Sequence, residues 1–273
     1  SSMSRAVAGH DDSREQAGVL FVRSYLQAYR RVLFSEWESA WRELQQARNY
    51  LDVVRGQPVV GHFIFLETMV GLQLLRRGER LKPKSRFRIY RNKIMIKKWA
   101  DQTPDNFYHW SLCVQALSFS LKGANESSEE YFKKAVDQTR SHHYSVDCAL
   151  IAEMAATVFE ESLAGRKDLA NLKEQVREYR KLAYRYYERW GAKSKVELFK
   201  DQFPYLTETE TETETEKKGL STLERTQHEI ETIADTQKTR TLFNSVLSFL
   251  LDTAGFDKLI LFQCVDKSEY ASE

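Results

Sequence analysis

Between Tyr179 and Trp190 the apolar and aromatic residues fall at three- and four-residue steps: Tyr179, Leu182, Ala183, Tyr186, Tyr187 and Trp190. That spacing places them along one face of an α-helix. Gly191 follows, and glycine can end such a helix in a left-handed conformation that other residues adopt only at a cost. Val196, Leu198, Phe199 and Phe203 then offer a second apolar face, and Pro204 stops it. No residue type here suggests catalysis. The stretch reads as the last hairpin of a helical array, with Tyr187, Trp190, Gly191 and Phe203 as its structural cap. Only 4 Pro and 11 Gly occur in 273 residues, which favours long helices over a loop-rich β fold.

The same period runs upstream. Residues 1–16 are polar and are expected to be disordered. From Val19, the residues Leu20, Phe21, Ser24, Tyr25, Ala28 and Tyr29 form one helical face. After a break near Phe34 and Ser35, Trp37, Ala40, Trp41, Leu44, Ala47 and Leu51 form another. Small residues at Ala28, Ala40 and Ala47 let two helices approach closely, at offsets like those of tetratricopeptide hairpins, although the Gly-Tyr and closing Pro of that signature are missing. Gly56, Pro58 and Gly61 interrupt the pattern. Phe63 to Leu75 (FIFLETMVGLQLL) predicts a buried helix.

Residues 76–98 are the most basic part, with a single acid, Glu79, and include Arg86, Arg88, Arg91 and Lys93. With Phe87, Tyr90, Ile94 and Trp99 they predict an amphipathic helix with a basic outer face. Thr103 as N-cap, Pro104 at the first helical position and Asp105 in the first turn mark the next start. That helix ends near Gly123, and its partner starts at Ser127 or Ser128 with Phe132, Ala135 and Val136 inward. A further pair covers Val146 to Leu163 and Leu169 to Trp190. Three unevenly spaced hairpins over 17–206 therefore predict an all-α, irregular tetratricopeptide-like array.

The composition then changes. TETETETETE opens an acidic linker, 207–218. Leu220, Leu223, Gln227, Ile230, Ala234 and Gln237 give residues 219–240 a thin coiled-coil seam suited to a homodimer. Leu242, Phe243, Val246, Leu247, Leu250 and Leu251 make a stronger stripe, and FDKLILFQCV predicts a strand. A strand needs partners, so 241–273 is expected to be the incomplete start of an α/β domain.

WADQTPDNFYHW, the hairpins after it and YRYYERWGAKSKVELFKDQFPYL resemble the helical region of large multi-domain signalling kinases. In that family a protein-kinase-like domain and an AAA-type ATPase module precede a tetratricopeptide-like region. A linker helix, a GAF sensor domain and often a histidine kinase of a two-component system follow. Trp190-Gly191-Ala192 with Lys195-Val196 and Phe203-Pro204 carries most of the likeness. The tail from the linker helix to FDKLILFQCV looks like the start of a GAF domain. The resemblance implies a non-catalytic regulatory region that couples an upstream ATPase or kinase-like module to a downstream sensor and kinase. Its partners would be neighbouring domains of its own chain. A stand-alone scaffold binding a partner protein is the alternative.

His228 is the one candidate reactive side chain. HEIET resembles a histidine-kinase phosphoacceptor box, but Thr232 precedes Ile233 rather than Pro, so a solvent-exposed linker-helix histidine competes with that reading. His109, Cys113, His142 and His143 could be imagined as metal ligands, His109 and Cys113 being one turn apart; packing roles are preferred, and no metal or cofactor is expected. The basic segment has no glycine-rich phosphate loop or recognition-helix motif. Together with a net charge of +2, this argues against a nucleic-acid partner. No nucleophile elbow, Walker loop or kinase catalytic loop occurs, so no enzyme is expected in this segment. Cys113, Cys148 and Cys264 form no CxxC pair and read as reduced thiols. With a polar N-terminus and no expected membrane span, the cytoplasm is the expected location.

Overall fold

A computed structural model of the chain describes residues 2–142, 144–163 and 169–208, with side chains from residue 16 to residue 206. Among these residues the protein is all helical and contains no strand. Two compact units divide it, Ser1–Trp190 and Gly191–Glu273. The division falls at Gly191, whose φ of 82° takes the left-handed turn that ends the preceding helix.

The first unit contains α1 (Ser2–Leu33), α2 (Trp37–Arg48), α3 (Val59–Arg76), α4 (Pro83–Gln102), α5 (Pro104–Leu121), α6 (Asn125–Ser141), α7 (Ser145–Glu161) and α8 (Leu169–Trp190). Each helix packs on its neighbours in the chain, and α1 also meets α3, α3 meets α5, and α5 meets α7. The odd-numbered helices thus form an inner row, and the even-numbered ones lie over it. Their sequences match these places. In α3 every residue from Phe63 to Leu74 is buried, and α5 and α7 are buried over most of their circumference. In α2, α6 and α8 burial is confined to one stripe: Trp37, Ala40, Leu44 and Ala47 in α2, Phe132, Ala135 and Val136 in α6, and Leu172, Val176, Ala183, Tyr184 and Tyr187 in α8.

The expected hairpins gain a fourth, because α3 and α4 also pack on one another. The segment with Gly56 and Pro58 separates two hairpins instead of interrupting the array, and Gly61 falls inside α3. Residues 2–16, expected to be disordered, are the first half of α1. They contain no proline, and a helix nucleated by the packed second half propagates through such residues at little cost. By length and composition α3 could cross a membrane, contrary to the sequence expectation. Its apolar surface is used against α2, α4 and α5 instead.

Gly71, in the middle of α3, costs a helix about 1 kcal/mol relative to Ala. Its place is explained by the close approach of two neighbours. A Cβ there would lie 2.5 Å from Ile89 Cδ1 of α4 and 3.1 Å from the Trp41 ring of α2. At the α1–α2 break Ser35 itself takes the left-handed conformation, φ 58°.

In the second unit, α9 (Lys193–Gln202) and α10 (Tyr205–Glu208) flank Pro204. Phe199 is buried, with the Lys195 ammonium 4.9 Å from its ring centre and the Phe203 ring edge-on at 5.6 Å. The predicted linker, signalling helix and GAF-like start (207–218, 219–240 and 241–273) lie outside the described residues beyond Glu208.

Candidate functional site

Three features of the first unit go beyond plain apolar packing. The first is a polar and aromatic cluster on the inner row. Asp147, in the first turn of α7, receives two hydrogen bonds from α5, from His109 Nε2 at 2.8 Å and from the Trp110 indole N–H at 3.0 Å. Tyr144 stacks on His109 at 4.8 Å, while His62 of α3 lies 5.6 Å from the Trp110 ring. The Tyr25 hydroxyl of α1 shares a 2.7 Å hydrogen bond with His62 Nδ1, and Tyr29 meets His62 edge-on. Side chains of four inner helices are thus linked into one cluster that ends on this carboxylate. The Asp147 side chain keeps 15 % of its surface exposed. His109 Nδ1 is buried without a hydrogen-bond partner.

Burial works to raise the Asp147 pKa, but the hydrogen bond and charge of His109, the charge of His62 and the Trp110 N–H together hold it below the ordinary carboxylate value. Burial also holds His62 below the usual imidazole range, against the opposing pull of Asp147. Cys113 and Cys148 are fully buried; burial pushes Cys113 far up and Cys148 up to about 11, so neither supplies a thiolate at neutral pH.

Both downward shifts have the same consequence. A group with a depressed folded-state pKa stabilises the fold fully above its unfolded value and loses that contribution as pH falls toward the folded one. The melting temperature is therefore expected to decline once pH falls through 6.5, the ordinary His62 value. A second decline is expected below 3.8, where Asp147 would titrate when unfolded. Each limb has a limiting slope of about 1.4 kcal/mol per pH unit. In thermal melts across this range, His62→Gln should flatten the upper limb and shrink the lower one without removing it, because His109 and Trp110 still hold Asp147 down.

The second feature is Glu67, fully buried in α3. Arg48 Nε donates to Oε1 at 2.7 Å and its Nη2 to Oε2, Asn92 donates to Oε2 at 2.9 Å, and Gln45 to Oε1 at 3.4 Å. Arg88 Nε lies 2.9 Å from Oε1, as an ion pair too misaligned for a hydrogen bond, while its Nη2 donates to Gln45. One carboxylate therefore ties α2, α3 and α4 together.

The third feature is the outer face of α4, where the sequence expectation is corrected. Phe87, Tyr90 and Ile94 are 63 %, 60 % and 54 % exposed. The buried side is Ile89, Asn92, Ile96 and Ala100, a stripe that is less apolar than the exposed one and therefore misleads a count of large hydrophobes. The predicted basic patch divides accordingly. Arg86 and Arg91 are exposed, Lys93 is half-buried, and Arg88 turns inward to Glu67. At the segment's start, Arg76 and Arg77 pair with Glu161 of α7.

Of the other predicted residues, Tyr187 is fully buried and its hydroxyl donates to Glu153 at 2.7 Å, whereas Trp190 is half-buried, 6.3 Å from the Tyr187 ring. Phe203 is half-buried in the second unit. Thr103 makes no side-chain cap, although Pro104 and Asp105 open α5 as expected. Among the described residues no three His, Cys, Asp or Glu side chains converge to hold a metal ion. His109 bonds to Asp147, and His142 Nε2 lies 3.4 Å from Asp105. His143 and His228 lie outside the described residues.

Asp147, His62 and Glu67 escaped the sequence reading. Glu67 had a visible signal, a lone carboxylate inside FIFLETMVGLQLL; Asp147 looked like an ordinary first-turn acid. Comparison with family models, curated proteins and solved structures gave no match for this chain.

Proposed function

We propose that residues 17–206 are a tetratricopeptide-like interaction array without an active site of its own. In this reading the array belongs to a multi-domain signalling kinase and couples an upstream ATPase or kinase-like module to a downstream GAF sensor and histidine kinase. The observation that carries the interaction role is the partly exposed polar and aromatic cluster around Asp147. Four inner helices present aromatic rings and one depressed carboxylate there, which suits a partner segment bearing N–H donors or a cation. Support for the kinase setting comes from Trp190-Gly191-Ala192, Phe203-Pro204 and the tail sequence. The depressed Asp147 and the protonated thiols favour binding over covalent chemistry at the cluster.

Two measurements test this. Peptides selected from a random library against the 273-residue chain should lose about tenfold or more in affinity to the Asp147→Asn variant, which removes the charge and turns one accepting oxygen into an N–H donor. Binders indifferent to that change would remove the cluster as the docking site. Reading the coding sequence beyond Glu273 should complete a GAF domain and reach a phosphoacceptor box with its ATP-binding domain. A stop codon directly after Glu273 would overturn the kinase setting in favour of the stand-alone scaffold.

A further inference from the structure

We propose that the outer face of α4 is a docking surface for an anionic lipid bilayer. Phe87, Tyr90 and Ile94 follow one another at three- and four-residue steps and so form a single ridge along the helix. At 100° per residue, Arg86 and Lys97 fall on one side of that ridge, and Lys84, Arg91 and Lys98 on the other. All five are exposed, and none forms an ion pair among the described residues. The only exposed acid on this helix is Asp101, at its last turn.

An apolar ridge with cations on both flanks suits a planar interface. The rings and the isoleucine enter the headgroup boundary while the long basic side chains reach lipid phosphates and carboxylates on either side. Alternative partners fit less well. Ile94 offers nothing for a base to stack on, which disfavours single-stranded nucleic acid. A partner helix is usually received in a groove, and here the apolar residues stand out from one helix. The helix itself is firmly anchored: Ile89 and Ile96 are buried, and Arg88 and Asn92 hold Glu67. Docking would then bring the whole array to the membrane without inserting α3.

The test is co-sedimentation of the full 273-residue chain with vesicles of phosphatidylcholine alone and of phosphatidylcholine with phosphatidylserine. Binding is expected only to the anionic vesicles and should fall steeply with added salt. Arg86→Gln/Arg91→Gln should weaken it by roughly thirtyfold, about fivefold for each charge. Phe87→Ser/Ile94→Ser should abolish measurable binding. All four residues are exposed, so the variants should melt like the parent. Equal binding to neutral vesicles, no binding to either kind, or unaltered binding by the Phe87→Ser/Ile94→Ser variant would overturn the proposal. So would saturable binding of an acidic amphipathic peptide to this ridge without vesicle binding. None of these outcomes bears on the Asp147 cluster, which lies on helices other than α4.

Discussion

Glu67→Gln is expected to destabilise the array by about 3 kcal/mol, the lower end of the range for breaking a buried ion pair. The side chain keeps its shape, so any loss reports on charge. Arg48 and Arg88 would then face each other without a counterion; burial, and to a lesser extent Arg48, already holds the Arg88 guanidinium below its ordinary value. The lower end is chosen because both arginines retain some exposure, 25 % and 18 %, and can turn toward water. A loss of that size should lower the melting temperature by about 6–12 °C in a unit of this length. The triple change Arg48→Met/Glu67→Leu/Arg88→Met should recover part of it, less the cost of leaving the buried Asn92 amide without its acceptor. It removes the desolvated charges together and fills the same space with apolar groups. If the triple variant were less stable than Glu67→Gln, the network would have to contribute more than its desolvation costs.

The contrast between α3 and α4 shows what the residues reveal on their own. The long apolar run in α3 can only be buried, and it is. For α4 the spacing predicts a basic outer face with the aromatics inward, and this assignment is wrong because its wider hydrophobic stripe points outward. Helical spacing says which residues share a face, and it is silent about which face meets a neighbour. Asn92 and Arg88 give the answer only with Glu67, a residue 25 positions from Asn92. Polar pairs across such separations have no periodic signature. The Asp147 cluster is a stronger case, since it gathers Tyr25, His62, His109 and Asp147 from four helices. Hairpin offsets such as Ala116, Phe132 and Ala135 were legible because small residues must sit where helix axes approach, and all three are completely buried.

Within the cap, Tyr187 is expected to matter more than Trp190. Tyr187→Ala should cost about 3–5 kcal/mol, the usual loss for a large buried aromatic. Its ring is fully enclosed between α7 and α8, and burial together with Glu153 and Tyr29 holds its hydroxyl in the protonated form that donates to Glu153. Tyr187→Phe keeps the ring and should cost about 1 kcal/mol, because the half-buried Glu153 can turn to water for the lost bond. Trp190→Ala should cost about 1–2 kcal/mol, since that ring is half-exposed and its loss leaves no closed cavity. Urea unfolding followed by circular dichroism would rank the three. Hydrogen exchange would place the damage. Within the first unit α8 packs mainly on α7, so protection should fall first in Ser145–Glu161 and Leu169–Trp190 while α2 and α3 keep theirs. A Trp190→Ala loss equal to that of Tyr187→Ala would move the weight of the cap onto the tryptophan. Uniform loss of protection through α1–α8 would instead mean that the array unfolds as one cooperative unit rather than from its end.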